Sequence, residues 1–115
     1  MRNGQQPFPI DVRTGWVNYS PALRQHASQR VRSRLAEFAS QIRSVTVRCS
    51  GDEPQTIAHR HCEIEVTTTH AGPIAASSVG VDLFALVDRA VEIVVEKLRQ
   101  RPSAQTHTEL RRRIA

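Results

Sequence analysis

The residues best equipped for chemistry sit near the middle of the chain. His59, His61 and Cys62 lie close together, with Cys49 upstream, and all are zinc-ligand types. Their spacing argues against a shared ion. The segment alternates apolar and polar residues like a strand, whose successive side chains point to opposite faces, so His61 and Cys62 diverge. Two buried thiols acting as small apolar fillers, with histidines at the surface, is the simpler expectation. No metal and no cofactor is predicted. Glu63 and Glu65 share one strand face, but nothing around them suggests a pocket, and they read as solvated charges. Ser20, Ser77 and Ser78 lack the context of a nucleophile elbow, and there is no glycine-rich phosphate loop. With no acid–base or nucleophile pairing to assemble, the sequence does not predict an enzyme.

What remains is arginine. Sixteen Lys and Arg stand against 11 Asp and Glu, giving a formal net charge of +5 and a pI near 10.5. A small basic domain points to an acidic partner, nucleic acid first. The excess is uneven. From 20 to 43, Arg24, Arg30, Arg32, Arg34 and Arg43 face one acid, Glu37, a balance of +4, and the tail closes on Arg111, Arg112 and Arg113. The guanidinium fork matches phosphate geometry. Binding through it is mostly to the backbone, little dependent on sequence and steeply weakened by salt. The few aromatics, Phe8, Trp16, Tyr19, Phe38 and Phe84, offer little for stacking single-stranded bases.

The elements that must position these groups follow from periodicity. A chain of 115 residues, 39% of them hydrophobic, builds one domain with a modest core. No apolar run reaches membrane-spanning length, and MRNGQQPFPI has no signal-type stretch. A cytoplasmic protein with reduced cysteines is the expectation. Residues 8–15, FPIDVRTG, alternate as a strand, with Pro9 at its start. Ser20 is a good N-cap and Pro21 a good first helical residue. Leu23, Ala27, Val31, Leu35 and Phe38 then form one apolar stripe of a helix. Arg30 and Arg34 lie along one of its edges, and Arg24 and Arg32 lie towards the other side. Residues 43–50 and 59–70 read as strands, with Val45, Val47, Cys49, Cys62, Ile64 and Val66 inward. Residues 74–79 read as a weaker edge strand. Asp82 caps a last helix whose broad stripe runs from Leu83 to Leu98 and which Pro102 ends. The prediction is an α+β fold: a β-α-β-β-β-α two-layer domain over 8–101, with a four-stranded mixed sheet and both helices on one face. Residues 1–7 are a loose N-terminus and 102–115 a flexible basic tail.

SPALRQHASQRV at the first helix, and this order of elements, resemble the ribosome hibernation promoting factor family, which includes the ribosome-associated inhibitor and the so-called sigma-54 modulation proteins. Ser20, Pro21, Ala22, Leu23 and Arg24 match the family's opening of that helix. Asp82, Phe84 and the step from Ala85 to Asp88 match its last helix, and HCEIEV and GPIAASSV resemble its third and fourth strands. The resemblance covers about residues 8–100 and rests mostly on order and spacing. It implies a translation inhibitor, active in stress, that binds ribosomal RNA of the small subunit. It would sit in the channel between head and body and exclude messenger and transfer RNA without catalysis. The expected phosphate contacts are Arg24, Arg30, Arg32 and Arg34, then Lys97, Arg99 and Arg101, with Arg111, Arg112 and Arg113 as a basic arm.

Two departures stand out. Where the family presents bases midway along the last helix, this chain has Ile93 and Glu96. From 82 to 101, Asp82, Asp88, Glu92 and Glu96 cancel Arg89, Lys97, Arg99 and Arg101. In length the chain resembles the short form of the family, without a ribosome-pairing C-terminal domain. The alternatives are a general duplex RNA or DNA binder and a protein-interaction module, such as a homodimer through the open sheet face.

Overall fold

The alternating segments become a sheet and the stripes become the layer that covers it. The computed structural model describes residues 7–15, 21–51 and 60–101. Its elements are β1 (Ile10–Gly15), α1 (Pro21–Leu35), a 3₁₀ turn (Ala36–Gln41), β2 (Ile42–Gly51), β3 (Arg60–Thr68), β4 (Ile74–Gly80) and α2 (Leu83–Gln100). The sheet order is β1-β2-β3-β4. β1 runs parallel to β2, while β2–β3 and β3–β4 are antiparallel. A parallel pair needs a long crossover, which α1 supplies, whereas the antiparallel pairs take shorter connections.

Both helices pack on the same face, against Val12, Val45, Val47, Cys49, Cys62, Ile64, Val66, Ile74 and Ala76. α1 contributes Leu23, Ala27, Val31 and Leu35, and α2 contributes eight buried residues from Leu83 to Leu98. Fully burying a Val, Leu or Ile side chain stabilises by about 1.5–3 kcal/mol, so this layer dominates folding. Asp82 caps α2 as expected, its carboxylate accepting the Phe84 amide at 3.0 Å. The opposite sheet face is polar. There Arg13 pairs with Asp11 at 2.7 Å, and Arg48 lies 3.9 Å from Glu63 and 3.6 Å from Glu65.

β2, β3 and β4 end within two residues of the periodic reading, and two other boundaries differ in kind. α1 stops at Leu35, and Phe38 reaches the core from the 3₁₀ turn, with φ −105° and ψ 16°. The narrower 3₁₀ winding rises further per residue than an α-helix and carries the chain on to Ile42, which pairs with Thr68. β1 begins at Ile10, not Phe8. Pro9 still joins the sheet through its carbonyl, which accepts the Val45 amide at 3.0 Å. Ser20, His59 and the 102–115 tail lie outside the described residues.

Cys49 and Cys62 are direct partners in the β2–β3 register and both are buried. The hydrogen bond to Cys49, followed by burial, pushes the Cys62 thiol up, so it stays protonated. The expected outcome with a thiol-reactive maleimide is slow labelling of native protein, at the rate of transient opening, and fast labelling of both cysteines in denaturant. Immediate labelling of the native protein would contradict this packing.

Candidate nucleic-acid interface

α1 and α2 lie side by side and run in the same direction, because acids on one meet bases on the other in rising order. His26 Nε2 is 2.8 Å from Asp88 Oδ1. Arg30 Nε donates to the same oxygen at 2.9 Å. One turn further on, Arg34 grips Glu92 with two parallel bonds, Nε to Oε2 at 2.6 Å and Nη2 to Oε1 at 2.8 Å. Arg30 spends only its Nε on a protein partner among the described residues, whereas Arg34 commits its fork. His26 also meets the Phe84 ring, with centroids 5.1 Å apart.

Three other predicted cations reach the sheet edges. Arg24 Nη1 donates to the Val12 carbonyl on β1 at 2.8 Å. On the far edge, Lys97 Nζ donates to the Ala75 carbonyl at 2.7 Å. Arg101 donates from Nη1 to Gly72 O at 2.7 Å and from Nη2 to Pro73 O at 3.3 Å. These contacts occupy carbonyls at or beside β1 and β4, the two outer strands that an added strand would pair with. Arg32 and Arg99 are exposed and have no hydrogen bond or close ion pair among the described residues. Arg89, not among the expected contacts, is likewise exposed on α2.

The seven expected cations thus share the helical side of the molecule and its edges, but in different states. Arg30 and Arg34 are ion-paired, Arg24, Lys97 and Arg101 hold backbone carbonyls, and Arg32 and Arg99 make no hydrogen bond or close ion pair among the described residues, Arg99 acting on Glu92 only through space. Asp88 and Glu92 escaped the sequence reading as partners; the signal available was their four-residue spacing, matching Arg30 and Arg34. The candidate chemistry of the middle segment disperses. Ser78 is buried and donates to the Leu86 carbonyl at 2.9 Å. Glu63 and Glu65 lie beside Arg48. Among the described residues no group of three His, Cys, Asp or Glu is placed to hold a metal ion.

Burial pushes the Asp88 carboxyl up, but its hydrogen bonds with Arg30 and His26 outweigh this and leave it below the usual carboxylate range. The Arg34 fork holds Glu92 below that range too, against a smaller effect of burial. A depressed carboxylate contributes stability above its unfolded pKa, and that contribution is lost as pH falls through the folded value. Both pairs are part-exposed, so solvent screening keeps the contribution of each small. Urea unfolding of the Asp88→Asn/Glu92→Gln variant should show a small loss near pH 7 and a shallower decline than wild type below about pH 4. Parallel pH profiles for the two proteins would show that the ion pairs contribute nothing.

The described architecture is shared with solved domains. One is a ribosomal subunit interface protein from Coxiella burnetii, with a TM-score of 0.68 and 17% identity, the match covering 80% of this chain and 94% of that one. Another is the Protein Y N-terminal domain from Thermus thermophilus, with a TM-score of 0.64 and 21% identity, covering 80% of this chain and 97% of that one. The chain belongs to the sigma 54 modulation protein / S30EA ribosomal protein family, whose model matches residues 10–105. Among curated proteins none matches by sequence. No helix among the described residues is long and apolar enough to cross a membrane.

Proposed function

We propose that this protein associates with the ribosome, binding ribosomal RNA of the small subunit through its helical side. There it blocks translation by occupying the channel used by messenger and transfer RNA. Family membership over residues 10–105 carries the reading, and both solved relatives named above share the fold over nearly their whole length. Two features of the surface support it. Arg32 and Arg99 are exposed and uncommitted, and Arg30 keeps its terminal nitrogens without a protein partner among the described residues. The work is steric and electrostatic, and no catalytic step enters it.

The polar sheet face, with its Arg13–Asp11 and Arg48–Glu63/Glu65 pairs, is unlike the apolar surface that a stable dimer buries. That observation weakens the homodimer alternative. Co-sedimentation with vacant small subunits across a salt series, beside a naked RNA duplex, tests the proposal. The expected result is selective pelleting with subunits that fades as salt rises. Equal binding to the duplex would favour the general nucleic-acid binder, and no pelleting at low salt would overturn the reading.

A further inference from the structure

We propose that Asp88 and Glu92 set the nucleic-acid specificity of this surface, serving as internal counterions that occupy Arg30 and Arg34 until a dense phosphate array displaces them. The inference rests on the reading of α1 as a phosphate-binding face. The two acids stand one helical turn apart on α2, matched to two arginines one turn apart on α1, with contacts of 2.6–2.9 Å. Such matching does more than cancel net charge. A phosphate approaching Arg34 meets a guanidinium whose Nε and Nη2 are already bonded, beside a carboxylate that repels it.

An isolated phosphodiester gains little from that exchange, since it replaces one anion by another. Folded RNA, where two backbones come close, offers several phosphates at once. Arg32 and Arg99 can anchor it while the pairs rearrange. The ligand class selected is therefore compact, folded RNA over single strands or plain duplex. The two acids differ in effect. Arg30 can keep Asp88 on Nε and still offer its terminal nitrogens. Arg34 has given Glu92 two parallel bonds and keeps only Nη1 and one Nη2 hydrogen, so a phosphate competes there with a bidentate pair, which makes Glu92 the stronger determinant.

The test is salt-titrated binding of wild type, Asp88→Asn, Glu92→Gln and Glu65→Gln to a labelled RNA duplex and to vacant small subunits. Glu65 is the control, because its substitution removes the same charge on the opposite sheet face, where it lies 3.6 Å from Arg48. Each phosphate contact changes the log–log salt slope by about 0.7–0.9, or about 3-fold in affinity for each fourfold change in salt. Glu92→Gln is expected to tighten duplex binding by that amount and steepen its slope. Asp88→Asn should do so less and Glu65→Gln scarcely at all, while subunit affinity changes less than duplex affinity. An equal gain in Glu65→Gln would reduce the effect to net charge and overturn the inference. So would unchanged duplex binding in Glu92→Gln, including no binding by any variant. Failure of wild type to bind subunits, with the duplex pattern intact, would instead sink the ribosomal reading and leave the counterion role standing.

Discussion

Reversing Arg32 and Arg99 together, as Arg32→Glu/Arg99→Glu, is expected to abolish subunit binding at moderate salt and leave the fold unchanged. Both side chains are exposed and neither holds a backbone carbonyl or a close ion pair among the described residues. Losing them therefore costs the domain little beyond the screened, through-space attraction of Arg99 to Glu92. A hydrogen bond to a charged group contributes about 1.5–3 kcal/mol, and about 1.4 kcal/mol is tenfold in affinity. Two lost contacts amount to a drop of at least ~100-fold before the added repulsion between carboxylate and phosphate is counted. The salt slope should become shallower by about 1.4–1.8. Arg30→Glu/Arg34→Glu is a less clean experiment, because it also places new acids against Asp88 and Glu92 and disturbs the seam between the helices. Unchanged affinity and slope in Arg32→Glu/Arg99→Glu would remove these residues from the interface.

The second large effect concerns the scaffold. Ile64 is wholly buried on β3, a central strand beneath the helical layer. Ile64→Ala removes apolar contacts that the packed core replaces only partly, at a cost of about 2–5 kcal/mol. Domains of this kind are commonly stable by only about 5–15 kcal/mol, so the variant should be close to unfolding at elevated temperature. Thr67→Ala, exposed further along the same strand, should change stability by no more than about 0.5 kcal/mol. Urea titrations of both variants decide the matter. A loss under about 1 kcal/mol for Ile64→Ala would mean that the helices do not close over the sheet as described.

The sequence carried the architecture well, for a physical reason. The period-two alternation of Cys62, Ile64 and Val66 and the broad stripe of α2 each have one face that can be buried, and burial is what sets the fold. The end of α1 was not legible. Leu35 and Phe38 have a spacing that suits an α-helix or a tighter turn, and the demand that Ile42 enter the sheet decides between them. The charged surface was half legible. Composition shows a basic first helix and a neutral last one, but which acid meets which base depends on the axial register of two helices far apart in sequence. The edge contacts of Lys97 and Arg101 depend likewise on the C-terminal end of α2 passing over the start of β4. Cations that look equivalent in sequence therefore divide into ion-paired, edge-holding and, among the described residues, without a hydrogen-bond partner.

The proposed function requires occupation of the messenger and transfer RNA path on the small subunit. Its most direct test loads vacant small subunits with the protein and then measures binding of a short messenger RNA and a P-site transfer RNA. Both are expected to fall in proportion to the protein bound, and Arg32→Glu/Arg99→Glu should leave them unaffected. Full messenger and transfer RNA binding on subunits that carry one protein each would contradict it.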